Sequence, residues 1–332
     1  MRPPELITYA QFMIGARFPF LVKGAPGVGK SDIIARAAAS AGADLILSHP
    51  VVSDPTDFKG LPFPKADGTA DFLPYGDLQR ILSADKPTVF FLDDLGQAST
   101  SVQAACMQLL LARRINGHIV SDQVTFAAAT NRREDKAAVT GLLEPVKSRF
   151  GAIIELEVNL KDWLKWALEN DMPTELIAFI QLEPDYLTGF KPNKDLINSP
   201  SPRTIAAAGR QQQAGLPEAF EFQAFQGAAG EDFATKYCGF LKIYRELPSL
   251  DDIILNPTGC PVPANLSVQY AITVGLAKKM NPQNIAPICT YLDRLPDEMS
   301  IACMKDAVTK NGQLSKTRSY INWAVKKSDV FI

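Results

Sequence analysis

The stretch GAPGVGKS, Gly24 to Ser31, constrains this chain more than any other. It fits the spacing G-x-x-x-x-G-K-[ST], with an apolar strand candidate, Phe18 to Val22, before it and an alanine-rich helix candidate, Ser31 to Ser40, after it. A strand, a glycine turn and a helix in that order wrap backbone N–H groups around phosphate oxygens, and the helix N-terminus adds partial positive charge. In that setting Gly24, Ala25, Pro26, Gly27, Val28 and Gly29 form the cradle. Lys30 reaches the β- and γ-phosphates, and Ser31 offers its hydroxyl to Mg²⁺. The expected cofactors are ATP and Mg²⁺. The flanking strand and helix disfavour the bland alternative, a glycine-rich turn with a chance lysine.

A second stretch, VFFLDDLGQA from Val89 to Ala98, ends an apolar strand in two adjacent aspartates. Side-by-side carboxylates repel, and a cation with a nearby lysine would offset that repulsion. A phosphate-loop protein needs a neighbouring strand that ends in an acid facing the Mg²⁺ shell, which assigns Asp93 to metal and cofactor binding beside Ser31. Asp94 then stands where many such ATPases carry the carboxylate that polarises the attacking water. The competing reading of Asp94 is a solvated cap on the following turn.

Around these motifs the first half of the chain alternates apolar runs and helical patterns. Leu45 to Ser48, Thr88 to Leu92, Val124 to Ala129 and Ile153 to Val158 are further strand candidates, and Ser101 to Arg113 is a helix. Strands apolar on both faces that alternate with helices predict an α/β sandwich around a mainly parallel sheet. Past Leu160 the segments KDWLKWALEN, ELIAFIQL, PRTIAAAGRQQQ, DFATKYCGFLKIYREL, VQYAITVGLAKKM, IAPICTYLDRL and RSYINWAVKKSD carry three- and four-residue apolar spacing, which predicts helices. The expected division is a nucleotide-binding core over 1–158, a helical lid over 159–215 and a helical extension over 216–332.

Composition excludes some classes. A net charge of −2 argues against a broad nucleic-acid surface. No apolar run approaches a membrane span, and MRPPELITYAQF lacks a basic-then-apolar leader pattern. Five scattered cysteines without CxxC spacing point to free thiols and a cytoplasmic setting.

With both motifs placed, the chain resembles the AAA+ ATPases, and within them the MoxR-like branch. FLDDLGQASTSVQAACMQLLLARRINGHIV is similar to that branch's DE-x-N-R-A segment with its helix and hairpin, and VVSDPTDFKGLPF to the segment after the second strand. TFAAATNRRED ends in Asn131 at the sensor 1 position. GLLEPVKSRFGAIIELEV places Arg149 as the arginine finger, and SPSPRTIAAAG places Arg203 as sensor 2. The resemblance covers about residues 15 to 210.

The resemblance implies that Asp94, Asn131, Arg149 and Arg203 are catalytic, with Arg149 reaching a neighbouring subunit's nucleotide. Arg132 and Arg133 are alternatives at that interface, and a strand-end cap, a surface ion pair and a helix cap are the bland readings of Asn131, Arg149 and Arg203. The implied protein is a homo-oligomeric, hexameric ring that remodels or activates a protein client, with a von Willebrand factor A-like domain as the class of partner. The chain departs from the family at Asp94, where glutamate is usual. Aspartate holds its carboxylate about 1.5 Å further back, and a misplacement of that order costs on the order of 10²-fold in rate. Two other functions therefore stay open: a nucleotide-gated scaffold with little hydrolysis, and a nucleic-acid motor or loader.

Three smaller features complete the reading. DFLPYGDLQRIL, Asp71 to Leu82, reads as a loop leading into a helix, either a plain connection or a pore-facing insertion. RRINGH, Arg113 to His118, carries an Asn-Gly hairpin signal. Trp163, Trp166, Tyr320 and Trp323 read as packing residues.

Overall fold

The computed structural model describes residues 1–135, 141–192, 196–245, 249–264 and 266–327. They form two compact units. One gathers the described residues of Met1–Asp162, Phe190–Lys194 and Ser201–Arg203, and the other those of Trp163–Gly189, Asp195–Pro200 and Thr204–Ile332.

The first unit is built on five strands: β1 (Phe20–Gly24), β2 (Asp44–Ser48), β3 (Thr88–Leu92), β4 (Val124–Asn131) and β5 (Ala152–Glu155). Their order across the sheet is β2, β3, β4, β1, β5, and every neighbouring pair runs parallel. All of β3 is buried, and so is all of β4 except Asn131. That burial explains why both strands read as unbroken apolar runs.

Alternation along each strand sends side chains to two cores. On one face Phe20, Val22, Val89, Phe91, Ala127 and Ala129 pack against α1 (Pro3–Ala16) and α2 (Lys30–Ser40). On the other, Leu21, Phe90, Leu92, Phe126 and Ala128 meet α3 (Thr100–Ala112) and the short helix Gly76–Leu82. The expected α/β class and parallel sheet are those of the structure. Helix α1 was legible in the burial spacing Leu6, Ala10, Met13 and Ile14 but was not among the expected elements.

Two hairpins leave the sheet. RRINGH forms the expected one, with Arg114–Ile115 pairing His118–Ile119 and positive φ at Asn116 (46°) and Gly117 (88°). The segment from Asp71 differs from its expected loop-then-helix reading. Ala70–Leu73 is a strand that pairs antiparallel with Leu61–Pro64, and the helix starts only at Gly76. The signal was the Asp67-Gly68 turn, where Asp67 Oδ1 accepts from Thr69 N at 2.9 Å.

The second unit is helical among its described residues. The expected segments appear as Leu160–Glu169, Thr174–Leu182, Pro202–Gln213, Glu231–Arg245, Leu266–Lys279, Ile285–Leu292 and Arg318–Lys326, the first and third starting in residues of the first unit. Residues 246 and 247, which end DFATKYCGFLKIYREL, and residues 328 and 329, which end RSYINWAVKKSD, lie outside the described residues. Glu221–Ala229, Leu250–Leu255 and Asp297–Lys310 are further helices with no counterpart in the expected set. Asp297–Lys310 buries Ser300, Cys303 and Ala307 beside Ile301 and Met304, so small residues blur its apolar stripe. One core joins Tyr291, Leu292, Met304 and Trp323, and an aromatic group joins Phe179, Tyr186, Phe233, Tyr237 and Phe240. Helices on either side of residue 215 are bonded, with Tyr237 Oη donating to Gln212 Oε1 at 2.5 Å. No described helix is long and apolar enough to cross a membrane.

Candidate active site

The loop GAPGVGKS bridges the end of β1 and the start of α2. Gly27 and Gly29 hold φ of 75° and 93°, a region that penalises any residue with a Cβ. At Gly27 space adds a second constraint, because a Cβ there would lie 2.6 Å from Ser201 Oγ. Gly24 is pressed from the other side, where a Cβ would stand 3.2 Å from Leu156 O.

Lys30 opens α2 and is buried. Its Nζ donates to Gly24 O at 3.1 Å, Ala25 O at 3.0 Å and Asn131 Oδ1 at 2.6 Å. The contact with Asn131 spans 101 residues of chain and follows from sheet order. β1 and β4 are neighbours in register, with Gly24 opposite Asn131, so the strand end meets the loop. Burial pushes the Lys30 ammonium down to about 8, against the pull of Asp94 and Asp93 and with help from the Arg203 charge.

Asp93 follows β3 and is buried. Its Oδ2 accepts from Ser31 Oγ at 2.6 Å, and its Oδ1 from the backbone N–H of Asp94 at 3.1 Å. Ser31 and Asp93 thus place a hydroxyl and a carboxylate side by side. Two hard oxygen donors of this kind suit Mg²⁺, which takes one or two protein oxygens and fills its octahedron with phosphates and water. The residues present fit that ion.

Asp94 adopts left-handed backbone at φ 55°, and its Oδ1 lies 3.5 Å from Asn131 Nδ2. The structure therefore gathers Lys30, Ser31, Asp93, Asp94 and Asn131 into one cluster at the carboxyl ends of the parallel strands. Ligands of open α/β sheets bind at those ends.

The two arginines are placed differently. Arg203 reaches the loop, because its backbone N–H donates to Gly27 O at 3.0 Å, and its side chain is exposed. Arg149 does not join the cluster. Its guanidinium donates to Pro145 O, and its Nε is buried without a partner among the described residues. Arg132 is engaged by Glu134 at 3.1 Å, Asp135 at 3.0 Å and Glu155 at 3.6 Å, whereas Arg133 is exposed. A cleft of about 480 Å³ beside Asn131 is lined by Leu21, Lys23, Arg132, Arg133, Lys147 and Glu155 among others, and it excludes Lys30 and Ser31.

Sequence reasoning missed Ser201, whose buried hydroxyl approaches the Gly27 position from 174 residues away. The segment SPSPRT drew notice only for its arginine, and a lone serine between prolines carries no spacing signal.

No family model and no curated protein matches the chain. Among solved structures it is similar to the RuvB Holliday junction branch migration motor of Thermotoga maritima, at 18% identity over 82% of this chain and 80% of that one, with a TM-score of 0.41. It is also similar to NtrX from Brucella abortus in complex with ADP, at 11% identity over 99% of this chain and 68% of that one, with a TM-score of 0.37. At such distances the function has to be read from the site's own geometry.

Proposed function

We propose that this chain is an ATP-hydrolysing AAA+ ATPase of the MoxR-like kind, working as a homo-oligomeric ring, by resemblance a hexamer, that remodels or activates a protein client. The observation that carries the reading is the junction where Lys30 meets Asn131 and Ser31 meets Asp93. Lys30 is charged at neutral pH and hydrogen-bonded only to neutral oxygens, so a triphosphate is the anion that would bond it. Ser31 and Asp93 would hold Mg²⁺, which bridges phosphates and offsets charge that develops in transfer. Asn131 would orient the attacking water or a γ-phosphate oxygen. Asp94 would polarise that water.

Arg203 would report phosphate state to the helix it opens, since its own backbone is bonded to the loop. Arg149 stands away from its own subunit's cluster, which is what an arginine that serves a neighbour's nucleotide requires. Arg132 is the weaker candidate for that role because three carboxylates hold it. The division into a 1–158 core, a 159–215 lid and a 216–332 extension, the cytoplasmic setting and a von Willebrand factor A-like client belong to the same proposal.

The test is steady-state phosphate release with Mg-ATP over a range of protein concentrations, with Lys30→Ala as blank. Specific activity that rises with concentration, vanishes in the blank and is abolished by Arg149→Ala is the expected result. Activity independent of concentration and indifferent to Arg149→Ala would refute the ring.

Asp94 keeps one second reading in play, a nucleotide-gated scaffold. Its shorter carboxylate rests near Asn131 on left-handed backbone. Under that reading ATP binds but phosphate release is absent until Asp94→Glu restores it. No gain in the variant would weaken the scaffold reading.

A further inference from the structure

Gln103 lies on α3, outside the cluster, and is fully buried. Its side-chain amide makes three bonds to backbone. Nε2 donates to Ala98 O at 3.1 Å and to Gly141 O at 3.0 Å, and Oε1 accepts from Leu143 N at 3.0 Å. Ala98 ends the turn that begins at Asp94. Gly141 and Leu143 belong to the segment that runs on to Arg149.

From Leu143 onward that segment is internally bonded. Leu143 O accepts from Val146 N at 2.9 Å and Lys147 N at 3.0 Å, and Val146 O accepts from Arg149 N at 3.2 Å. Val146 and Phe150 are buried in the same core as Val102, Ala105 and Cys106 of α3. The arginine-bearing turn is thus pinned to α3 by apolar contacts toward one end and by a single glutamine at the other.

We infer that Gln103 is a positioning residue that sets Arg149 in register with the turn carrying Asp94. This inference rests on the reading of Arg149 given above. An amide that bonds both segments fixes their separation, so a shift of the Asp94 turn is carried to the start of the Arg149 segment. In a ring, one subunit's own phosphate site would then bias the arginine it offers to the next. A side chain that merely satisfied buried backbone groups would sit in the same place, and the two roles differ in their energetic coupling to Arg149.

The experiment is a double-mutant cycle on full-length protein. Turnover of Mg-ATP is measured for the parent, Gln103→Met, Arg149→Ala and the double variant, together with affinity for a fluorescent ATP analogue. Methionine keeps the length and removes the amide. The expected result is a loss of about tenfold or more in kcat for Gln103→Met, nearly unchanged nucleotide affinity, and almost no further loss when it is added to Arg149→Ala. Equal losses in both backgrounds, or a fall in nucleotide affinity, would overturn the inference and leave Gln103 a packing residue.

Should Gln103→Met fail to fold, Leu143→Pro replaces it. That variant deletes the N–H from which Gln103 accepts, at a φ of −59° that proline adopts, and Leu143→Ala, which trims the same core-packed side chain but keeps the N–H, is its control. It must show the same non-additivity, at smaller size. Parent-like turnover in Arg149→Ala, or no release by the parent, would instead sink the ring-ATPase reading, and the role of Gln103 with it. A slow Arg149→Ala with multiplicative losses sinks the Gln103 inference alone.

Discussion

In the helical unit, Arg245 donates to Glu221 at 2.5 Å, and that carboxylate is buried. In the sheet unit, Lys30 is buried too, yet its three bonds go to two backbone carbonyls and an amide, none of them charged. The consequences are opposite. The bond to Glu221 raises the Arg245 guanidinium above its usual range, whereas burial pushes Lys30 down to about 8 despite two nearby aspartates. A part-exposed cation bonded to a buried anion serves the fold. A buried cation bonded only to neutral oxygens costs the fold something, and such groups mark sites that act on a ligand.

The sharpest way to break this comparison is Lys30→Met. Under the proposed function, phosphate release is expected to fall by more than about 100-fold, because the charge that would meet the phosphates is gone. The melting temperature is expected to stay level or rise, since a desolvated charge has been removed. A large loss of stability would show that Lys30 holds the fold together instead.

Next in size is the pH dependence of nucleotide binding. Bound phosphates favour the charged lysine, so the free protein must be protonated to bind. Below about 8 it already is, and affinity is flat; above, affinity falls as the proton leaves. Titrations should show binding about tenfold weaker at pH 9 than at pH 7. A flat profile through pH 9 would refute the depressed lysine.

The same group bears on stability with its own sign. Its folded value lies below the usual lysine range, so burial costs stability below about pH 8 and the cost fades as pH rises toward that range.

On the other side of the comparison, Arg245→Met strands the buried Glu221. A cost of about 1–3 kcal/mol is expected, reduced from a fully buried pair because the guanidinium is partly exposed, with per-subunit turnover kept in the folded fraction. Thermal melts and turnover on the same samples check it. Smallest is Tyr237→Phe, which deletes the donor to Gln212 Oε1 and should cost about 1 kcal/mol with no effect on nucleotide affinity.

Much of the candidate site was legible because a strand, a glycine turn and a helix are encoded locally. Gly24 to Ser31 carries its own strand, turn and helix within a few residues, and Asp93 closes a run whose burial on both faces its composition already implies. The hairpin at Asn116-Gly117 was legible for the same reason, a two-residue turn with a sterically demanded sequence. The Leu61–Pro64 and Ala70–Leu73 pairing was missed although the Asp67-Gly68 turn signals it, because two prolines and an exposed surface leave its first strand without an apolar run. Gln103 offered no local cue at all, since a glutamine on a helix reads as solvated until something buries it.

What the sequence determined by itself is the periodicity: which stretches extend, which coil, and where a glycine turn separates them, because these depend on neighbours a few residues apart. What only the tertiary structure decided is lateral order. With β1 inserted between β4 and β5, Asn131 meets Lys30 across 101 residues, and Ser201 comes to stand over Gly27. Lateral order depends on which apolar faces cover one another, and no window of sequence contains both faces.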